Sequence, residues 1–190
     1  MRAPLWGNSI YHADNDFLSF AWLYRGALIV HGFYHATQAI EKYFKSLALS
    51  IIDPNGDTET VRNNRWLLSH DLVALASRSV AHYPYYGQPD VLSRLRRFAE
   101  FDQCARYPWV EQKHGNGFTG ADLPLIWDMV LHLRSDIPIK IDDYPFGLFI
   151  RGHHHGHPEY QANLSMLNLI GGPLEATRLM FPELNKIVRW

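Results

Sequence analysis

From Phe33 onward the chain repeats a core signal at helical spacing. Phe33, Thr37, Ile40, Phe44, Leu47 and Ile51 follow at alternating steps of four and three, which stacks them along one side of a helix. The rest of that helix surface carries His31, Tyr34, His35, Gln38, Glu41, Lys42 and Lys45, with Glu41 one turn ahead of Lys45 in the orientation that favours an ion pair. Such a face is either solvated or a polar contact surface. An earlier helix is predicted through FLSFAWLYR, capped by Asp14 or Asp16, with Gly26 and Gly32 as weak points between the two.

Pro54, Asn55 and Gly56 supply turn chemistry, and the polar run up to Arg65 holds no period, so this stretch reads as a loop. Ser69 is the expected N-cap of a third helix, with Asp71 in its first turn and Leu72, Leu75, Ala76 and Val80 on its buried side. Pro89 opens a fourth, with Val91, Leu92, Leu95, Phe98 and Ala99 facing inward, and Pro108 ends it by forcing Tyr107 out of the helical region. Asp122 or Thr119 caps a fifth, whose stripe is Ile126, Met129, Val130 and Leu133. Beyond residue 137, IPIKI and FGLFIRG alternate in strand fashion on either side of DDYP, which suits a small β-hairpin, while Gly171, Gly172, Pro173 and Pro182 keep any later helices short. The expected fold is all-α: an antiparallel up-and-down bundle of four to five helices over residues 1–136, with residues 137–190 as a C-terminal extension packed on it.

Composition narrows the functional classes. With 190 residues, 47% of them hydrophobic, the chain can bury one good core and is not a disordered sequence. A net charge of -1 supplies no global basic field, so nucleic-acid binding would have to rest on a local patch. Arg94, Arg96 and Arg97 are read as a solvated face, although a phosphate-binding patch would use the same residues. Trp66, like the other tryptophans, is read as a packing or dimer contact rather than a base-stacking platform. The lone Cys104 has no internal disulfide partner, no secretory leader opens the chain, and no apolar run is long enough to cross a bilayer; a cytoplasmic protein without membrane contact is the expectation.

RGHHHGHPEY places His153, His155 and His157 near Asp142, Asp143 and Glu159, a donor set suited to zinc, nickel or copper. Gly152, Gly156 and Pro158 make the tract a loop, so a plain surface segment or adventitious transition-metal binding stand beside a native site, and no cofactor is expected. The sequence contains no phosphate-cradling glycine loop, nucleophile elbow or paired-cysteine zinc site.

Three short patterns in order carry a resemblance: Ala36, Gln38, Ala39, Glu41, Lys42 and Lys45 on one helix; His70-Asp71-Leu72 opening a later one; and Arg106-Tyr107-Pro108. Over roughly residues 15–135 the chain thereby resembles the HEPN (higher eukaryotes and prokaryotes nucleotide-binding) family of helical-bundle domains. The resemblance implies a homodimer. It also implies one of two activities. Some members are metal-independent RNases, typically toxins or phage-defence components, with an Arg and a His that have four to six residues between them and act across a dimer interface; others bind nucleotides, nucleic acid or a nucleotidyltransferase partner.

For the RNase chemistry a histidine moves the proton of the ribose 2′-hydroxyl or of the leaving oxygen, while an arginine fork holds the phosphate. Arg65 and His70 have the spacing, but so do Arg25 with His31 and Arg151 with His157. The resemblance implies that both catalytic residues share one helix, whereas an N-cap at Ser69 leaves Arg65 in the preceding loop. The chain is therefore read as a HEPN-like module that binds nucleotide, RNA or a partner protein without catalysis, using Gln38, Glu41, Lys45 and Arg106. A metal-independent endoribonuclease built on Arg65 and His70 is the alternative.

Overall fold

The computed structural model describes residues 5–25, 27–54, 60, 63–106 and 122–137. Among them are helices α1 (Leu5–Arg25), α2 (Ile29–Ile52), α3 (Leu72–Ser77), α4 (Pro89–Arg106) and α5 (Asp122–Asp136), with single 3₁₀ turns at Arg65–Leu68 and Pro84–Gly87. No strand occurs among the described residues. The hairpin expected in the C-terminal extension, the histidine tract and Tyr107, Pro108 and Thr119 lie outside them.

Helix α1 buries Ile10, Ala13, Phe17 and Phe20 at three- and four-residue steps, the stripe that lets it lie along a neighbour. It begins well before Asp14 and Asp16, which are mid-helix residues rather than caps. Both carboxylates are satisfied sideways from α2. The Tyr43 hydroxyl donates to Asp14, and Asp16 accepts from Lys42 Nζ and pairs with His35 Nδ1 at 2.9 Å.

The turn into α2 is made by backbone geometry. Leu28 N–H donates to the Leu23 carbonyl at 2.8 Å and Ala27 N–H to the Tyr24 carbonyl at 3.0 Å, the paired bonds that close a helix over a left-handed residue. That residue is Ala27, at φ 61°. Gly32, expected as a weak point, lies inside α2 and is buried there. A Cβ at Gly32 would stand 3.3 Å from the Tyr24 nitrogen and 3.4 Å from the Phe20 carbonyl oxygen, so its missing side chain is what allows α1 and α2 to approach closely.

Helix α2 packs against α1, α3, α4 and α5. Of its expected stripe Phe33, Thr37, Ile40, Phe44 and Leu47 are buried and Ile51 half-buried, but Ala36, Gln38, Ala39, Glu41 and Tyr43 around it are buried too. The polar face is therefore mixed: Gln38 and Glu41 are buried, Tyr34, His35, Lys42 and Lys45 half-buried, and His31 exposed. Burying each large apolar side chain of this kind contributes about 1.5–3 kcal/mol, and aromatic edges add direction: Phe33 meets Phe101 at 4.9 Å between ring centres and Phe44 meets Tyr86 at 5.1 Å. Thr37 Oγ1 lies 3.0 Å from the Phe33 carbonyl and 3.1 Å from that of Phe98, linking α2 to α4 through one hydroxyl.

Helix α3 starts later than expected. Asp71 is its N-cap, accepting from Val73 N–H at 2.9 Å and Ala74 N–H at 3.0 Å, while Ser69 Oγ accepts from the Asp71 N–H at 3.0 Å. Of two capping-type residues in succession, the second has the extended backbone immediately before the first helical residue, so its carboxylate reaches the open amides. His70 thus precedes the helix instead of lying in its first turn.

Helices α4 and α5 follow their stripes, with Val91, Leu95, Phe98, Ile126, Met129, Val130 and Leu133 buried. The arginines of α4 are not a free solvated face. Arg97 forks onto Asp122, with Nη2 2.8 Å from Oδ2 and Nε on Oδ1, and Arg94 Nη1 reaches Asp128 at 2.5 Å; only Arg96 among the three is exposed.

Candidate functional site

Glu41 lies at the centre of the polar face of α2 with its side chain 5% exposed. A carboxylate in that position is costly unless both oxygens find donors. Lys45, one turn along the same helix, donates to Oε1 at 2.6 Å. Oε2 faces Nδ1 of His70 at 3.0 Å, brought in by the link between the 3₁₀ turn and α3. Because an ionised carboxylate only accepts, this geometry assigns a proton to Nδ1. Nε2 then carries a lone pair in the neutral ring or a second proton in the cation. The His70 side chain is 61% exposed, so a buried anchor holds a solvent-facing imidazole in one orientation.

Glu41 and Lys45, two of the expected binding residues, therefore meet His70, one of the pair read as the catalytic alternative. Gln38, one turn before Glu41, turns its amide to α4 instead, with Nε2 donating to Asp102 Oδ1 at 3.0 Å. Arg106 is the last residue of α4, and its side chain lies outside the described residues. Arg65 opens the 3₁₀ turn and is exposed. It does not share a helix with His70: the turn ends at Leu68, and Ser69 is extended at φ -67°, ψ 149°.

Around the same link lies a pocket of about 450 Å³ lined by Trp66, Ser69, Ala74, Ser77 and Arg78. The Arg78 guanidinium carbon is 5.4 Å from the centre of the Trp66 ring. Trp66 does pack against the core, as expected of it, but it is only half-buried and also forms the pocket wall. The indole is held in place by Nε1, which donates to Asn64 Oδ1 at 3.1 Å. The sequence signal for this pocket was the placement of a tryptophan and an arginine on either side of the His70 turn, which only the short α3 brings together.

Two further clusters were hidden in the sequence. Asp16, His35 and Lys42 repeat the Glu41 arrangement, a carboxylate between an imidazole and an ammonium, on the α1 side of α2. At the far end, Asp128 accepts from Arg94 and from the Tyr85 hydroxyl at 3.2 Å, and Tyr85 stacks on His132 with ring centres 3.9 Å apart. Tyr86 donates to Asp136 at 2.7 Å. Burial, then the neighbouring carboxylates, pushes the hydroxyls of Tyr85 and Tyr86 well above the usual phenol range.

Among the described residues no three His, Cys, Asp or Glu side chains are grouped so as to hold a metal ion; His153, His155 and His157 lie outside those residues. No described helix is long and apolar enough to cross a membrane. Comparison with known proteins finds no matching family model, no matching curated protein and no matching solved structure.

Proposed function

We propose that the chain is a HEPN-like antiparallel helical bundle, paired as a homodimer, whose turn around His70 binds RNA or nucleotide phosphate without catalysis of its own. The observation that carries this reading is the Lys45–Glu41–His70 chain of contacts. A buried acid spent on orienting an exposed imidazole makes sense if that imidazole meets a ligand, and in its protonated form a ring fixed at Nδ1 has Nε2–H left to donate to an anionic oxygen. Arg65 and Arg78, both exposed, lie on either side of His70 in the chain, and a chain with net charge -1 needs such local positive charge for phosphate binding. A nucleotidyltransferase-type protein partner has no comparable support.

One feature favours the endoribonuclease reading as the second choice. A carboxylate on Nδ1 is the arrangement that aligns a histidine for proton transfer through its other nitrogen. The separation of Arg65 and His70 onto different elements weighs against it.

Both readings are tested by incubating the purified protein with labelled RNA in chelator and following binding and fragment ends together. Binding that weakens in Arg65→Ala and His70→Ala, with the RNA left intact, is the expected result. Cleavage to cyclic phosphate ends by wild type but not by His70→Ala would replace binding with catalysis. Failure to bind RNA or nucleotide at all would overturn both.

A further inference from the structure

We infer that the pocket between the 3₁₀ turn and α3 is a stacking site for one unpaired nucleobase, held on the Trp66 indole with its phosphate on Arg78. This rests on the RNA- or nucleotide-binding reading of the His70 turn and adds a ligand form to it: single-stranded, not duplex.

The pocket's about 450 Å³ falls in the range of small-ligand sites. Its chemistry is specific. One wall is the indole, which packs on the core behind and is pinned at Nε1 by Asn64. A ring fixed in this way offers a flat face at little ordering cost, and such faces take any base because every base has a π surface. Arg78 already sits above that ring at 5.4 Å. The guanidinium already covers the face on which a base would stack, so a base enters only when the guanidinium swings aside. Arg78 is exposed and can do so, and its planar fork is then available for the phosphate that accompanies the base.

The other walls are small. Ala74 and the hydroxyl-bearing Ser69 and Ser77 leave room beside the indole. Ser77 Oγ donates toward the Val73 and Ala74 carbonyls at 2.8 and 3.0 Å, whereas Ser69 Oγ accepts from the Asp71 amide at 3.0 Å and keeps its own proton to donate. Recognition is therefore chiefly by stacking and charge, with the Ser69 hydroxyl on the pocket wall left as a donor to a base edge. Ser69, on the pocket wall, is the residue before His70. The site thus lies on the same short segment as the oriented imidazole, although His70 itself turns to Glu41 and does not line the pocket. In duplex RNA the bases are stacked on one another and none is free to enter.

The test measures binding of the full chain to a labelled unstructured single-stranded RNA, to the same strand annealed into a duplex, and to a free nucleoside monophosphate as competitor. Wild type should prefer the single strand over the duplex by about tenfold or more, the scale of one lost stacking contact. Trp66→Ala should weaken single-strand binding by a similar factor, and Trp66→Phe should retain most of it. Ala74→Leu keeps an exposed helical position filled by a good helix former while occluding the pocket; it should weaken binding with an unchanged melting temperature. Competition by the mononucleotide at the same site would identify a base with its phosphate as the sufficient unit; its failure, with the single-strand preference intact, would assign the site to the polymer. If wild type binds RNA but favours duplex, or if Trp66→Ala and Ala74→Leu bind like wild type, the stacking site is wrong and the His70 reading stands. If wild type binds none of the three, both fall.

Discussion

Nδ1 of His70 stands 3.0 Å from Oε2 of Glu41, joining a largely exposed imidazole to a carboxylate that is almost wholly buried. The two partners should therefore respond very differently to removal. Glu41→Ala leaves Lys45, 17% exposed, without its counter-charge and should cost about 2–3 kcal/mol in denaturant unfolding. His70→Ala should cost less, about 1 kcal/mol, because removing a largely exposed ring lets water take its place at Oε2. The Glu41→Ala/Lys45→Ala double mutant should show coupling of about 1 kcal/mol or more; strict additivity would mean that the pair is an ordinary surface contact.

Gly32→Ala should lower stability even though alanine is the better helix former. Propensity alone favours alanine by about 1 kcal/mol, but the new Cβ would lie 3.3 Å and 3.4 Å from backbone atoms of α1. Helical backbone yields less readily than a side-chain tip. A melting temperature above wild type would show that α1 can move away without loss.

Ala27→Gly should do the opposite. Ala27 holds φ at 61° on an exposed turn, a conformation that costs an L-residue about 1 kcal/mol and glycine nothing sterically. A gain of about 0.5 kcal/mol in equilibrium unfolding is expected after glycine's greater unfolded-state freedom is counted. Destabilisation would mean that the methyl group contributes packing at this turn.

Alkaline unfolding should report on Tyr86. Its hydroxyl is pushed above the phenol value of 10.0, by burial first and then by its bond to Asp136. The folded chain thus keeps a proton that the unfolded chain releases. Stability from this group is fully present below about pH 10 and falls as pH rises above it, because the unfolded state alone gains from ionising. Denaturant midpoints measured between about pH 8 and pH 11 should drop less steeply in Tyr86→Phe than in wild type. Parallel pH dependence would place the sensitivity elsewhere.

Much of this architecture is visible in the apolar periods. The stripe from Phe33 to Leu47 and those of α4 and α5 needed nothing beyond spacing, since core residues on one face repeat wherever a helix has one buried side. What spacing could not show is which polar residues are turned inward by another element. Asp14 and Asp16 look like caps because short acids usually serve backbone amides; here Tyr43, His35 and Lys42 claim them across the α1–α2 interface. Arg94 and Arg97 look solvated until α5 supplies Asp128 and Asp122. Ser69 and Asp71 are both plausible caps, and only the backbone angles choose. Of the candidate site, the Glu41–Lys45 spacing was legible within one helix, whereas the Trp66–Arg78 pocket depends on a six-residue helix too short to announce itself by period.

Helix α2 has every other described helix as a neighbour. Its middle amides therefore have no private route to solvent, and their deuterium uptake should wait for rupture of the whole assembly, at the free energy of global unfolding. Such a rod also cannot be peeled off and lent to another molecule, so any exchange of segments between copies would have to use the periphery.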